Sequence, residues 1–344
     1  FGYQGSFLDL LWYMPETYHD VELEKDAYYR TAEVATMRSG WDEFSTWVGL
    51  HAGYNSSVHG QFDIGDFEYE VYGERMATNM GRDNYNLPGY FSTRNKYYVH
   101  RAEGQNVYVI NPDESAGQEE HASTTIKPLF SNDSSAAYEI DMTSAYSKQV
   151  KSAKRGYKLT NGRQVFVLQD EIESNSLSDD IYWFWHTDGD VTLGQDGKTV
   201  VISKGVVKTT LYFDSNVDFK LMLEDTKPMS SSPIGEGQLE GLEQKKITAN
   251  FMSDQDKVIF RVTAVPMMMQ YEPGELSQIS TWTPDERALA EPPRIESISI
   301  NGQNFDSFTR SKASYDVSYD FAAGEPVITA VSNGNVKIDK QGTT

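Results

Sequence analysis

The chain has 344 residues, a formal net charge of −21, 12% aromatic residues with 21 tyrosines among them, and no cysteine. That length allows one large domain or two ordinary ones, and the missing cysteine excludes disulfides and thiol catalysis while leaving the redox compartment open. No apolar run is long enough to span a membrane as a helix, no signal-peptide pattern is present, and the negative field disfavours nucleic acid as a partner.

The chain opens on Phe1 rather than methionine, so a mature piece or fragment of a longer protein is expected; the composition suits a secreted or cell-surface bacterial protein, and a cytosolic one would carry it too. In Phe7-Leu8-Asp9-Leu10-Leu11-Trp12-Tyr13 the apolar spacing predicts a short helix, which Pro15 ends or kinks. Residues 1–25 therefore read as a helical remnant or linker. From Tyr28 the pattern turns to strands. Ala32–Met37 alternates loosely and Thr46–His51 follows. Strands are then predicted at Val165–Gln169, Ile181–His186, Thr199–Ser203, Thr209–Phe213, Phe219–Leu223, Ile247–Phe251 and Val258–Val265. Asn161-Gly162, Asp188-Gly189 and Asp196-Gly197 are hairpin-type turn signals. No stretch between 130 and 270 keeps a helical period. The fold class is mainly β, a large antiparallel β-sandwich over 26–270. Residues 271–293, with Glu272-Pro273-Gly274, Pro284-Asp285-Glu286 and Glu291-Pro292-Pro293, read as a linker. Ile295–Ile300, the turn Asn301-Gly302 and Val327–Val331 then suggest a small immunoglobulin-like β module over 294–344, expected to be incomplete at that length.

Polar residues gather between His59 and Gln105. The stretch opens His59-Gly60-Gln61-Phe62-Asp63-Ile64-Gly65-Asp66-Phe67, continues through Gly73-Glu74-Arg75-Met76-Ala77-Thr78-Asn79-Met80-Gly81, and closes on Gly104-Gln105-Asn106 before Val107–Ile110. If 59–63 is extended, His59, Gln61 and Asp63 share one side. Such a group is either a polar functional site or a hydrogen-bonded core network, and spacing leaves both open.

This order of motifs resembles the C-terminal β domain of the heparinase II/III family of polysaccharide lyases. The family pattern runs His-x-His-x-Asp-x-Gly-x-Phe, Gly-Glu-x-x-Ala-x-Asp-x-Gly, then Gly-His-Asn-Thr before an apolar strand. Asp63, Gly65, Phe67, Gly73, Glu74, Ala77, Gly81, Gly104 and Asn106 keep its frame. The flanks Arg38–Trp41, Asp83-Asn84-Tyr85, Arg155-Gly156 and Gln169-Asp170-Glu171 are similar as well, so the resemblance spans roughly residues 1–225. It implies an α/α-toroid before the sheet, of which residues 1–25 would be the end. In the family, the second His of the first motif, the Asp of the second and the His of the third often hold zinc. Here those positions are Gln61, Asn79 and Gln105. Neutral amides are poor zinc donors, so no zinc and no other cofactor is expected. Three amides can instead bond one another; calcium, which prefers oxygen, is the lesser alternative.

The resemblance further implies cleavage of a uronic-acid polysaccharide by β-elimination. That reaction needs a group to neutralise the carboxylate, one to take the C5 proton and one to protonate the leaving C4 oxygen. His59 matches the family's catalytic His, and Tyr85 and Tyr90 lie in a nearby Gly/Asn/Pro loop. These three are the catalytic candidates. An anionic polymer approaching an acidic protein requires local cations. Arg75, Arg82, Arg94, Lys96 and Arg101 fall in that region, with Arg101, Arg75 and Lys96 the substrate-binding candidates. Strand alternation would send His100 and Arg101 to opposite faces, and Arg101 suits a bidentate anion contact. His186 reads as a buried, hydrogen-bonded residue. The leading expectation is thus a lyase component with half its site on an absent toroid, inactive alone. The alternatives are a non-catalytic carbohydrate-binding β domain that has lost the metal site, and a purely structural surface protein. Oligomeric state is left open.

Overall fold

The computed structural model describes residues 23–238, 243–285, 295–306 and 326–332; the helix expected at 7–13 and much of 294–344 lie outside them. Every strand expected between 165 and 265 is present, as Val165–Ser174, Asp180–Thr187, Thr199–Lys204, Val207–Ser215, Phe219–Asp225, Lys245–Met252 and Val258–Pro266. All pairings are antiparallel.

Two layers result. One is an eight-stranded sheet with Val258–Pro266 and Val165–Ser174 at its centre. The other consists of a five-stranded sheet, built from 26–77, and a four-stranded sheet centred on Asp180–Thr187 and Lys245–Met252. The Thr78 N–H donates to the His186 carbonyl and joins these two sheets at one corner (3.0 Å). Aromatic rings fill the space between the layers. Phe67 and Tyr69 pack on Phe166, Trp185 bridges them to Trp183, and Trp183 meets Phe213 and Phe260. Rings of this size bury large apolar areas and fix the sheet spacing by shape.

Burial follows the sequence pattern where one face is wet. In Val34–Arg38, Thr46–His51 and Phe67–Val71 buried and accessible residues alternate strictly. Alternation is lost in Val165–Ser174, nearly all of which is buried. The reason lies in residues 274–285, within the span read as a linker. They run along the outer face of the eight-stranded sheet. Ser277 accepts from Gln169, Thr283 from Lys158, and Asp285 from Thr160 and the Asn161 N–H. Ile279 is buried, and Trp282 stands over Gly156, where a Cβ would come within 2.8 Å of its ring. One turn signal acts differently from its hairpin reading. Asp188-Gly189 carries the chain from the four-stranded sheet into the eight-stranded one, because Asp180–Thr187 and Asp190–Leu193 pair with different neighbours. In the C-terminal region the described residues form a three-stranded sheet, with Asn301-Gly302 as a two-residue turn at positive φ.

A fully buried ion pair holds the layers in register. Arg155 donates through Nε and Nη2 to both carboxylate oxygens of Asp170 (2.7 and 2.8 Å). Its Nη1 reaches the carbonyls of Gly65 (2.9 Å) and Asn106 (2.6 Å), and Trp183 Nε1 donates to Asp170 from the opposite layer (3.0 Å). Burial works against the guanidinium charge, but the Asp170 carboxylate beside it outweighs that and raises the Arg155 pKa. Removing one partner strands the other charge away from water. Asp170→Asn is therefore expected to cost about 3–5 kcal/mol, read as a fall in the urea midpoint; a shift below about 1 kcal/mol would mean the pair is not the clamp described.

Candidate functional site

Residues 59–66 are not a strand. His59 takes a positive φ of 63°, Gly65 one of 94°, and the extended backbone begins only at Phe67. Glycine suits that position, since L side chains rarely adopt such a φ. The shared side expected for His59, Gln61 and Asp63 is thus corrected. His59 is exposed in a cleft, Gln61 turns to an amide cluster, and Asp63 faces His51 (3.3 Å).

Gln61, Asn79 and Gln105 meet in space. Asn79 Nδ2 donates to Gln105 Oε1 (2.8 Å), Gln105 Nε2 donates to Gln61 Oε1 (3.1 Å), and Gln61 Nε2 donates to the Gly81 carbonyl (3.0 Å). The Gly81 N–H returns to Asn79 Oδ1 (2.7 Å) and closes the ring. Gln105 also donates to the Val99 carbonyl, and Asn79 to Asp66 Oδ2. The neighbouring amide, Asn106, is saturated. Its side chain donates to the carbonyls of Phe67 and Thr78 and accepts from the His186 N–H, while its backbone N–H reaches Asp66 Oδ1. Local geometry depends on Gly104, whose Cβ would lie 2.2 Å from the Tyr98 carbonyl oxygen.

The donor chemistry does not fit zinc. Each of the three side-chain amide oxygens already accepts an N–H, and none carries the charge that offsets stripping a divalent ion of water. Among the described residues no group of three His, Asp or Glu is arranged to hold a metal ion.

Asp66 is the carboxylate bonded to a ring side chain, through Asn79, among the described residues. Burial pushes its pKa up to about 6, with Asp63 adding to the rise, while the bonds from Asn79 and Asn106 and the nearby His51 oppose it. Burial works against charge on His51 too, but Asp63 and then Asp66 outweigh it and raise its pKa. His186, bonded to Tyr98 and Asn106, is pushed down to about 3 by burial and by Lys246. The signs oppose. With a folded pKa above its unfolded value of 3.8, Asp66 gives stability that is present below pH 4 and lost as pH rises through 6. His186, with a folded pKa below its ordinary 6.5, gives stability that is lost as pH falls from 6.5 toward 3. Asp66→Asn is therefore expected to flatten only the first term. The difference between variant and wild type, measured by urea unfolding from pH 4 to 7, should change by roughly 2 kcal/mol in favour of the variant as pH rises. A pH-independent difference would overturn this.

Beside the ring opens a cleft of about 700 Å³. His59 stacks on Tyr85 with ring centroids 6.1 Å apart, Arg82 lies over the Tyr85 ring at 4.9 Å, and Phe91 projects into solvent with 68% exposure. Below them Tyr90 is buried. Its hydroxyl accepts from the Asp83 N–H (3.1 Å) and lies 2.8 Å from His100 Nε2. Burial raises the Tyr90 pKa and keeps the phenol protonated. His59, Tyr85 and Tyr90 therefore share one cleft, as do Gln61 and His100. A second hollow of about 680 Å³ continues from it, and Phe62, Asn95 and Glu120 line both.

The basic candidates divide. Arg101 is 3% exposed and donates to Glu103, Ser232 and the carbonyls of Asn95 and Glu114. It is withdrawn as a substrate ligand, because residues 94–104 form three short 3-10 helices rather than a strand and turn it inward. Arg75 is engaged by Glu68 (3.1 Å) and Glu70 (3.6 Å) and lies outside the cleft lining. Lys96 is exposed next to Asn95 and does not line the cleft. Arg82, Phe91 and His100 join the site only in the folded chain. The run Gly89-Tyr90-Phe91 carries an aromatic signal, but only the folded loop reveals that Phe91 faces out and Tyr90 in.

A family model described as "Heparinase II/III-like, C-terminal" matches residues 24–263. No curated protein matches the chain. The fold is similar to a heparan sulfate lyase HepC from Pedobacter heparinus, at 13% identity and a TM-score of 0.59 over 92% of this chain and 42% of that one. It is similar also to a heparinase III, the BT4657 gene product, at 13% identity and TM-score 0.58 over 85% of this chain and 40% of the other. A further heparinase III gives 15% identity and TM-score 0.53 over 70% of this chain and 36% of its own. The chain thus spans about two fifths of the solved structures it resembles, and likeness at such identities speaks for the fold. Since the family model matches well over half the sequence, the chain belongs to the heparinase II/III-like C-terminal domain family.

Proposed function

We propose that this domain is the β-sheet half of a polysaccharide lyase that cleaves a uronic-acid polymer by β-elimination, the other half residing on a helical domain before it. The single observation that carries the reading is the cleft in which His59, Tyr85, Arg82 and Tyr90 converge beside the family's motif positions. In this scheme Arg82 faces the uronate carboxylate and acidifies C5–H. His59 takes that proton, and the electrons form the C4–C5 double bond as the C4–O bond breaks. The departing oxygen is protonated from the helical side. Tyr85 orients the His59 ring, and Tyr90, kept protonated by burial, forms the floor with His100. The structurally similar HepC is by name a heparan sulfate lyase, which supports an anionic polysaccharide here. A secreted or cell-surface bacterial setting belongs to the same proposal.

In the full-length protein, His59→Ala is expected to lower kcat/KM by about 10²–10⁴, followed by the ultraviolet absorbance of unsaturated products. Glycan retention in affinity electrophoresis should hold. Residues 1–344 alone should release no product; robust release by them would refute the half-site. The second reading, a glycan-binding domain without turnover, is favoured by the exposed rings of Phe91 and Tyr85 on the rim. Retention with no turnover in full-length wild type would establish it.

Metal-free operation is part of this proposal, supported by the closed amide ring. The wild-type melting temperature should be unmoved by chelator or by zinc. The combined variant Gln61→His, Asn79→Asp, Gln105→His should instead gain a zinc-dependent rise in melting temperature. Stoichiometric zinc in wild type purified without chelator would sink the idea.

A further inference from the structure

We infer that the accessible face of the five-stranded sheet carries a second ligand site, apart from the cleft, that takes one neutral pyranose of an uncharged polysaccharide. The inference does not depend on the lyase reading. Strand register makes the site. Across Val34–Arg38, Thr46–His51 and Phe67–Val71, the residues Thr36, Gly49 and Glu68 stand side by side on the accessible face. Gly49 brings no side chain to the middle of that row, so the face has a dimple there. Trp47, two residues before, leans into it: a Cβ on Gly49 would lie 2.7 Å from the indole ring. His51, two residues after, closes the other side together with Asp63, its partner at 3.3 Å. The result is a hollow of about 250 Å³. It shares no described residue with the cleft of His59, and the amide ring lies between them, since Asn79 lines the hollow and Gln61 the cleft.

The lining combines one aromatic wall with polar groups that the protein leaves unused. Among the described residues nothing bonds the Trp47 indole N–H or the Thr36 hydroxyl, and both side chains are partly accessible. Both Glu68 oxygens accept from Arg75 Nη1 at 3.1 Å, which fixes the carboxylate and leaves lone pairs for a ligand. A pyranose matches this set. Its C–H face is apolar and packs on an indole, while its rim carries hydroxyls that donate to carboxylates and accept from an N–H. The charges on the walls are already paired, Asp63 with His51 and Glu68 with Arg75, so the complement is an uncharged ligand rich in hydroxyl donors. The hollow is smaller than the ~300–1,000 Å³ typical of sites for drug-sized ligands, so it holds one ring of a chain that continues over the sheet.

The test is affinity electrophoresis of the full-length protein through gels containing hydroxyethyl cellulose, galactomannan or dextran, with hyaluronan as the anionic control. At least one neutral polymer is expected to retard the protein. Trp47→Ala should weaken that retardation about tenfold, by removing the stacking wall. Thr36→Val keeps the shape of the side chain at an accessible strand position, so it folds, and should weaken it about threefold by removing one hydrogen bond. Phe91→Ala, on the rim of the cleft, should leave it unchanged. Retardation by none of the neutral polymers overturns the inference, and so does retardation that either Trp47→Ala or Thr36→Val leaves intact. Loss in Phe91→Ala would assign the binding to the cleft, and equal Trp47-dependent retardation by hyaluronan would refute a neutral ligand. The lyase reading is judged separately, by release of unsaturated products, so the two can fail independently.

Discussion

The buried pair of Arg155 and Asp170 is the constraint on which the rest depends. A guanidinium and a carboxylate with no exposure are tolerable only when every donor and lone pair finds a partner. Here the partners are structural: Trp183 from the facing layer, and the carbonyls of Gly65 and Asn106. Those two carbonyls belong to the loops that carry the amide ring. The Tyr157 hydroxyl also donates to Gly65 O (2.7 Å), so the turn before Phe67 is pinned twice from the eight-stranded sheet. The polar cluster is thus not a decoration on the sandwich. Its position is set by the same charges that align the layers.

From that anchor the order propagates outward. Gly65 and Asn106 place Asp66, which collects the Asn106 N–H and the Asn79 amide; Asn79 leads to Gln105 and Gln61. Gln61 in turn lies two residues from His59, whose ring lines the cleft. Neutral amides suit this task because each side chain both donates and accepts, so a ring can close without net charge. Asp66 remains the one ionisable member, and its raised pKa reflects how little water reaches that point. The amides cross-link three loops.

A consistent economy of charge marks the cleft. Most arginines of the region serve the protein itself: Arg75 binds Glu68 and Glu70, Arg101 binds Glu103, Arg155 binds Asp170. Aromatic surface is more plentiful there, through Tyr85, Tyr90 and Phe91. The cleft thus presents ring faces and a few directed polar groups rather than a cluster of cations.

Much was legible in the residues alone. Short β-rich runs separated by Gly, Asn and Asp, with the hairpin turns Asn161-Gly162 and Asp196-Gly197, determined a β architecture and the strands after 165. The ordered motifs around Asp63, Glu74 and Gly104 pointed to the family. Only the tertiary structure decided which polar side chains turn inward. Arg101 and Arg82 look alike in sequence, yet one is sealed among carbonyls and the other lies over Tyr85, because three short 3-10 turns replace the expected strand. The docking of 274–285 on the sheet was hidden for a related reason: its contacts to Gln169, Lys158 and Thr160 are to residues more than 100 positions away. Local pattern encodes local faces, whereas partners distant in the chain are chosen by packing.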